Sequence, residues 1–325
     1  MSLRPYLWFE MLYLRLRLPF PLGAVVGVLP FVVLLVLSFL LAGIPTTTLV
    51  PILPFYLLVN LYLQFASRHA SGRIVKLAEQ WQLTEKNSIS LKPLFGLRGA
   101  TVFWILAQSV LLPLFSSALL GQYSISQVLL IGVLPWLYYG YFFGTFFWVL
   151  AYSAYTIYKM GQLPLELKHF TEDRTLGLRE FGSVSLRLTG IYIGFVALFA
   201  LPNTIQGFVN LPFLLLYVGL FLVASLLFLF PLVSLHRKLV SEKRGIISRF
   251  APKYKEMVQV CEANGITPAD EKFTNQLNTT RQLLQEAGQI HAWPFDTGII
   301  VRLSAIVLSV VAILVSRILT LVLHL

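Results

Sequence analysis

Long apolar stretches limit what this chain can fold into. A helix needs about 20 consecutive apolar residues to cross the hydrocarbon core of a bilayer. Seven predominantly apolar stretches reach that length: 22–43, 48–67, 100–120, 126–157, 188–206, 211–235 and 298–323. Charged residues make up only 12% of the chain, against about 25% in a typical soluble domain. The sequence therefore predicts an all-α polytopic integral membrane protein with about seven transmembrane helices.

The distribution of basic residues predicts the orientation of these helices. Of the 25 Lys and Arg residues, 23 fall in four segments: 1–20, 68–99, 159–187 and 236–297. In a seven-helix arrangement these segments share one side, and the connections on the other side carry no charge: 44–47, 121–125 and 207–210. Lys and Arg are costly to translocate, so the N-terminus is expected in the cytoplasm and the C-terminus outside. The net charge of +11 then indicates a membrane surface rather than nucleic acid as the partner.

Four parts follow from this topology: an interfacial amphipathic helix (1–20), a six-helix membrane bundle (21–235) with cytoplasmic loops 68–99 and 159–187, a cytoplasmic helical hairpin (236–297) and a final transmembrane helix (298–325). In the first part, the aromatic side chains of Trp8, Phe9 and Tyr13 are expected at headgroup depth, with nearby arginines towards lipid phosphates. A regulatory role for this helix is the alternative to a simple anchor.

The predicted hairpin begins with apolar residues at helical spacing from His236 to Cys261. Pro252 is expected to kink or break this helix, and Asn264 to end it. Thr267 is a candidate cap for a second helix that ends at Gly288. The apolar face of the hairpin is expected to pack on the long fourth helix or on a neighbouring subunit.

Motifs for catalysis and for nucleotide or metal binding are absent from the sequence. It contains no GxxxxGK[ST], HExxH, GxSxG or GxGxxG pattern. Cys261 is the single cysteine, and no Asp, Glu or His lies within a predicted span. Proton-coupled carriers usually need such a residue in the membrane, so coupled transport is disfavoured. The sequence predicts no catalytic residue, no cofactor, no metal site and no enzyme activity.

Few polar residues interrupt the predicted spans. Asn60 and Gln64 lie one turn apart, and Gln108 lies in the next span. They are expected either to hydrogen-bond across helices or to line a polar path. Gly140 and Gly144 form a GxxxG spacing that favours close helix packing, within the chain or between subunits.

The last predicted helix carries the candidate pore or anion-binding residues: Arg302, Ser309, Ser316, Arg317 and Thr320. Arg317 lies about 22 Å along the helix from Arg302, in the outer part of the bilayer. Its partner would be a lipid phosphate reached by snorkelling, a terminal carboxylate or a passing anion. The polar residues at 309, 316 and 320 share one face of the helix with Arg302 nearby.

The layout loosely resembles that of insect chemoreceptor channels, through the internal N-terminus, the uncharged outer connections and the helical hairpin before the last helix. The resemblance implies a tetramer whose pore is lined by the seventh helix. It is a resemblance of layout alone, so it transfers no residue to this chain.

These features predict a non-enzymatic, multi-pass protein of the cell (cytoplasmic) membrane that acts as a sensor or scaffold through its basic cytoplasmic face. The expected partners are anionic lipid headgroups, a cytoplasmic protein at 236–297 and a further copy of the chain, with no nucleic acid. The alternative function is an ion channel or passive permease, made anion-selective by Arg317.

Overall fold

The structure, a computed structural model, describes residues 6–43, 53–83, 89–119, 124–205, 211–264 and 271–295, with six helical positions between 298 and 312. No strand occurs among these residues. They form the helices α1 (Trp8–Arg15), α2 (Phe20–Leu41), α3 (Leu53–Gln80), α4 (Leu97–Leu119), α5 (Ile125–Gln162), α6 (Arg179–Ile205), α7 (Leu211–Leu229), α8 (Val233–Asn264) and α9 (Glu271–Gly288). Short 3-10 turns precede α4 (Lys92–Phe95) and join α7 to α8 (Phe230–Leu232). The prediction of an all-α fold is confirmed.

Three segments of the described chain are long and apolar enough to cross a membrane: Phe20–Leu41, Arg179–Ala200 and Leu216–Ala263. Their apolar surfaces are only partly covered by protein, as expected for helices in contact with lipid. The structure therefore supports an integral membrane protein, while the count of seven spans and the orientation stay predictions.

The long helix α5 lies at the centre of the bundle and contacts α2, α3, α4, α6, α7 and α8. Its 38 residues reach about 57 Å at the usual helical rise, well beyond the hydrocarbon thickness. The helix begins at a cap in which the Ser124 hydroxyl accepts from the Gln127 backbone N–H. Phe142, Phe146 and Val149 of α5 are fully buried between its neighbours. This helix therefore organises the hydrophobic core.

The GxxxG positions of α5 bring α4 close within the same chain. A methyl group at Gly144 would overlap the backbone carbonyl oxygen of Ala100, and one at Gly140 would overlap the indole ring of Trp104. Trp104 in turn stacks on Tyr141, with ring centroids 5.3 Å apart. Small residues thus let the two helix backbones approach, as they do in many membrane bundles.

The chain beyond α7 forms two packed helices. α8 and α9 contact each other, and Thr280 Oγ1 lies 3.9 Å from Met257 Sδ. α8 ends at Asn264 and α9 at Gly288, the two ends that the sequence predicts, while Thr267 lies outside the described residues. Of the predicted kink or break at Pro252, the break does not occur, because α8 runs through this residue, and the kink stays a prediction. Proline has no N–H, so the backbone carbonyl four residues earlier lacks its helical hydrogen bond. Pro252 is exposed, so water can reach this carbonyl.

Substitution of Gly144 by alanine is expected to lower the free energy of unfolding by about 1–3 kcal/mol, because the new methyl group meets backbone that cannot rotate away. The matched control is Gly219→Ala on α7, where an added methyl group meets no atom within 4 Å. Thermal unfolding in detergent should show a lower midpoint for G144A and no loss for G219A. Equal midpoints would contradict the close packing of α4 on α5.

Candidate functional site

One end of the helix bundle collects the four basic segments. Contacts join them in pairs: Glu10 with Arg68 (3.1 Å), Gln80 with Glu180 (3.2 Å), and the Arg174 carbonyl with the His291 backbone N–H (3.0 Å). At the other end, Gln127 Nε2 donates to the Ala42 carbonyl (2.6 Å), beside two of the uncharged connections. The contacts among the basic segments and the contact of Ala42 with Gln127 therefore lie at opposite ends of the bundle.

A polar seam joins α1 to α3. We define it as Glu10 and Tyr13 of α1 with Asn60, Gln64 and Arg68 of α3, which recur every four residues on one helix face. Tyr13 Oη donates to Gln64 Oε1 (2.5 Å), and Gln64 Nε2 donates to Asn60 Oδ1 (3.0 Å). The ion pair of Glu10 with Arg68 closes the seam at the basic end. The seam thus consists of an ion pair at the surface and a hydrogen-bonded chain of Tyr13, Gln64 and Asn60 inside the bundle.

Two glycines of α2 make room for the ring of Tyr13. A methyl group at Gly23 or Gly27 would overlap this side chain. Gln64 Nε2 also lies 3.3 Å from the Ala24 carbonyl, and Tyr138 Oη donates to the Gly27 carbonyl (2.7 Å). The side chain of Tyr13 therefore occupies a notch in α2.

The structure corrects the predicted surroundings of the α1 aromatics. Phe9 is 1% and Tyr13 2% exposed, so both face protein rather than lipid headgroups. Trp8 Nε1 donates to Thr145 Oγ1 of α5 (2.8 Å). An amphipathic pattern does not distinguish a lipid-facing ring from a protein-facing one, and here the glycine notch of α2 decides the outcome.

The three predicted membrane polar residues fall into two places. Asn60 and Gln64 are fully buried in the seam, and Asn60 Nδ2 has no hydrogen-bond partner among the described residues. Gln108 lies on α4 beside Gly140 of α5, where a methyl group would come within 3.1 Å of Gln108 Nε2. The structure therefore unites the first two and separates the third from them.

A basic cavity of about 410 Å³ opens at the surface end of the seam. α3 lines it with Arg68, His69, Arg73 and Lys76, and Glu10 faces them from α1. Four aromatic rings complete its wall: Tyr6, Phe20, Phe65 and Phe95. Arg68 is held by Glu10 and by the ring of Phe20, 4.1 Å from its guanidinium carbon.

The charges around His69 are dominated by cations. Partial burial lowers the pKa of His69, and the positive charges of Arg73, Arg187 and Lys76 lower it further. Arg73 Nε lies 3.4 Å from His69 Nε2, which fits a neutral imidazole that accepts a hydrogen bond there. The cavity therefore carries a positive potential that is only partly balanced by Glu10.

Two lysines of the basic end donate hydrogen bonds to backbone carbonyls at the C-terminal ends of helices. Lys238 Nζ donates to the Leu163 carbonyl that follows α5 (2.5 Å), and burial lowers the pKa of Lys238. Lys243 Nζ donates to the carbonyls of Gly288 and Ile290 at the end of α9 (2.6 and 3.0 Å). Cations stabilise the negative end of a helix dipole. These lysines therefore have structural partners, which sequence reasoning missed because the partners lie far along the chain.

The charged connection between α5 and α6 folds into a self-contained turn. The Asp173 carboxylate accepts from the backbone N–H groups of Thr175 and Gly177 (2.8 and 2.9 Å) and from Thr175 Oγ1. Partial burial opposes ionisation, but these hydrogen bonds and nearby Lys168 hold the pKa of Asp173 below its usual value. Gly177 has φ +86°, a conformation that favours glycine. This stretch is therefore a turn that its own hydrogen bonds hold closed.

The candidate residues of the last helix lie outside the described residues: Arg302, Ser309, Ser316, Arg317 and Thr320. Within the described part of the chain, no group of three His, Cys, Asp or Glu side chains could hold a metal ion. Comparison of the chain with protein-family models, curated proteins and solved structures finds no significant match. The resemblance to insect chemoreceptor channels therefore gains no support, and function is argued from the seam and the basic end.

Replacing Tyr13 by phenylalanine is expected to lower the free energy of unfolding by about 1–3 kcal/mol, because the buried Gln64 Oε1 loses its donor. The control is Tyr6→Phe at an exposed position of the same segment. Unfolding midpoints in detergent should fall for Y13F and stay unchanged for Y6F. A Y13F midpoint equal to that of the wild type would contradict the seam.

Proposed function

We propose that this chain is a seven-helix protein of the cell membrane, with the N-terminus in the cytoplasm and the C-terminus outside. It acts as a non-enzymatic sensor or scaffold whose basic cytoplasmic face binds acidic surfaces. The observation that carries the proposal is that contacts join the four basic segments at one end of the bundle. The contact of Ala42 with Gln127, which are near two uncharged connections in sequence, lies at the other end. That separation is what the positive-inside rule requires of a cytoplasmic end.

The exposed basic residues of α8 supply the binding surface. Arg244, Arg249, Lys253 and Lys255 are exposed, unlike the lysines that complete helix ends. Each Lys or Arg near an anionic membrane surface contributes about 1 kcal/mol of attraction. Anionic lipid headgroups are therefore the first partner of this face, and an acidic protein surface on the 236–297 hairpin is the second.

The single cysteine allows a direct test with the full chain. Cys261 of α8 is half-buried and lies on the proposed cytoplasmic side. The matched site is S126C in a C261S background. Ser126 is exposed at the start of α5, at the end of the bundle away from the basic segments. A membrane-impermeant maleimide should label Cys261 only in inverted vesicles and the S126C site only in right-side-out vesicles.

The same two sites test the binding of acidic surfaces in nanodiscs, where both faces are accessible. Anionic lipid should slow the labelling of Cys261 relative to the S126C site, because the headgroups draw α8 and α9 towards the membrane. The general surface potential acts on both leaflets and so cancels in this ratio. Labelling of Cys261 from the outside would contradict the proposal. So would a ratio of Cys261 to S126C labelling rates that is the same with neutral and with anionic lipid.

An ion channel or passive permease is the second candidate. It is favoured by the buried amide of Asn60, whose Nδ2 has no partner among the described residues and which lies within a predicted span. In this case the last helix lines the path and Arg317 attracts anions.

Arg317→Gln should then move the reversal potential of planar-bilayer currents in asymmetric salt towards the cation value, because the positive charge on the path is lost. The current of the wild-type protein is the reference, and Arg249→Gln on α8 is the charge-matched control. An unchanged reversal potential in R317Q would remove the role assigned to Arg317.

A further inference from the structure

The basic cavity at the surface end of the seam has the lining of an anion site. Three permanent cations line it, from Arg68, Arg73 and Lys76, and they face the single carboxylate of Glu10. We propose that this cavity binds a phosphate group, either in a lipid headgroup or free in solution. The inference deepens the proposed function and rests on it, because it names one site and one ligand chemistry on the basic face.

Repulsion between the cations of α3 is unfavourable, and a bound anion would offset it. Like charges three or four residues apart on a helix repel each other, and Arg73 and Lys76 are so spaced. Neither forms an ion pair with a described residue, whereas Arg68 is paired with Glu10. A phosphate monoester carries a charge of about −1.5 to −2 and offers three acceptor oxygens. It therefore matches both the excess charge and the donors of Arg73 and Lys76.

The apolar wall makes the cavity suitable for an amphiphile. Phe20 and Phe65 pack edge to face, with centroids 4.9 Å apart, and Phe65 is 46% exposed. Phe65 precedes Arg68 by about one helical turn in the direction of the membrane-spanning part of α3. A headgroup phosphate at Arg73 and Lys76 thus leaves the acyl chains beside an exposed aromatic ring.

Glu10 competes with the ligand inside the cavity. Its carboxylate engages Arg68 Nε at 3.1 Å and accepts from the Leu7 backbone N–H at 3.0 Å. A glutamine at this position can still accept from the N–H but lacks the negative charge. Loss of that charge frees Arg68 for the phosphate, so Glu10→Gln should strengthen binding where the other variants weaken it.

The test measures binding to the full chain purified in detergent. Native mass spectrometry counts phosphatidic acid bound to each variant, with phosphatidylcholine as the neutral lipid. The double variant R73Q/K76Q should bind phosphatidic acid at least about tenfold more weakly than the wild type, since it loses charge-assisted hydrogen bonds. E10Q should bind about two- to fivefold more tightly.

The control removes two charges elsewhere on the basic face. K159Q/R174Q lies at the end of α5 and in the turn after it, at exposed positions outside the cavity and outside the α8 surface, and changes the net charge by the same amount. Its affinity should change by less than about twofold, because salt screens distant surface charges. Equal losses in the two double variants, or no loss in R73Q/K76Q, would overturn the proposal. An E10Q variant that binds phosphatidic acid more weakly would do the same.

A second arm separates the two sources of phosphate. Inorganic phosphate is titrated into the lipid-free micelle, with the unfolding midpoint as the readout. A midpoint rise that is lost in R73Q/K76Q and kept in K159Q/R174Q assigns the site to soluble phosphate. Variant-dependent binding of phosphatidic acid alone assigns it to a headgroup, and the absence of both effects refutes the site.

These outcomes are independent of the topology experiment. Binding in detergent does not depend on which side of a membrane the cavity faces, so it can succeed even if Cys261 is labelled from the outside. Conversely, the labelling ratio of Cys261 to the S126C site reports on α8 and α9, far along the chain from Arg73 and Lys76. Failure of the cavity would therefore leave the proposed function standing.

Discussion

The close packing of helices around α5 is the constraint on which the rest of the structure depends. A helix in lipid satisfies its own backbone, so helices associate there mainly through close contact and not through the hydrophobic effect. Gly140 and Gly144 admit α4, and Gly161 admits α8, where a methyl group would overlap Ser234 Oγ. The rings of Phe143 and Phe195 bring α6 against the same helix, with centroids 5.3 Å apart. Because α5 holds its neighbours in register, the ends of the other helices, and with them the basic residues, meet in one place.

The second organising feature is the polar seam, which lies among apolar residues. The seam places Asn60 and Gln64 out of reach of water, where an unpaired amide is costly, and Tyr13 supplies the donor that Gln64 Oε1 needs. The partner comes from a short helix outside the six predicted spans of the bundle. The N-terminal helix is therefore part of the bundle core, and the basic cavity exists because α1 and α3 meet there.

Sequence reasoning predicted what local spacing determines. Asn264 and Gly288 predicted where α8 and α9 end, and the length of the apolar stretches predicted the all-α fold and the unusual length of α5. The spacing of Asn60 and Gln64 predicted that the two amides would be neighbours. Local spacing could not predict contacts between residues far apart in sequence. Examples are the hydrogen bonds of Tyr13 with Gln64 and of Lys238 with the Leu163 carbonyl. The helix does not break at Pro252, because this side of α8 is exposed and water can reach the carbonyl that loses its N–H partner.

The position of α1 has a consequence for biogenesis. Its docking groove is built from residues that leave the ribosome later: Gly23 and Gly27 of α2, Gln64 of α3 and Thr145 of α5, the last 137 residues beyond its partner Trp8. The groove of α1 is therefore complete only after α5 has been synthesised. An amphipathic helix with basic residues can wait at the membrane surface until then. The amphipathic pattern that predicted an interfacial anchor thus also suits a helix that docks on the bundle after α5 has been synthesised.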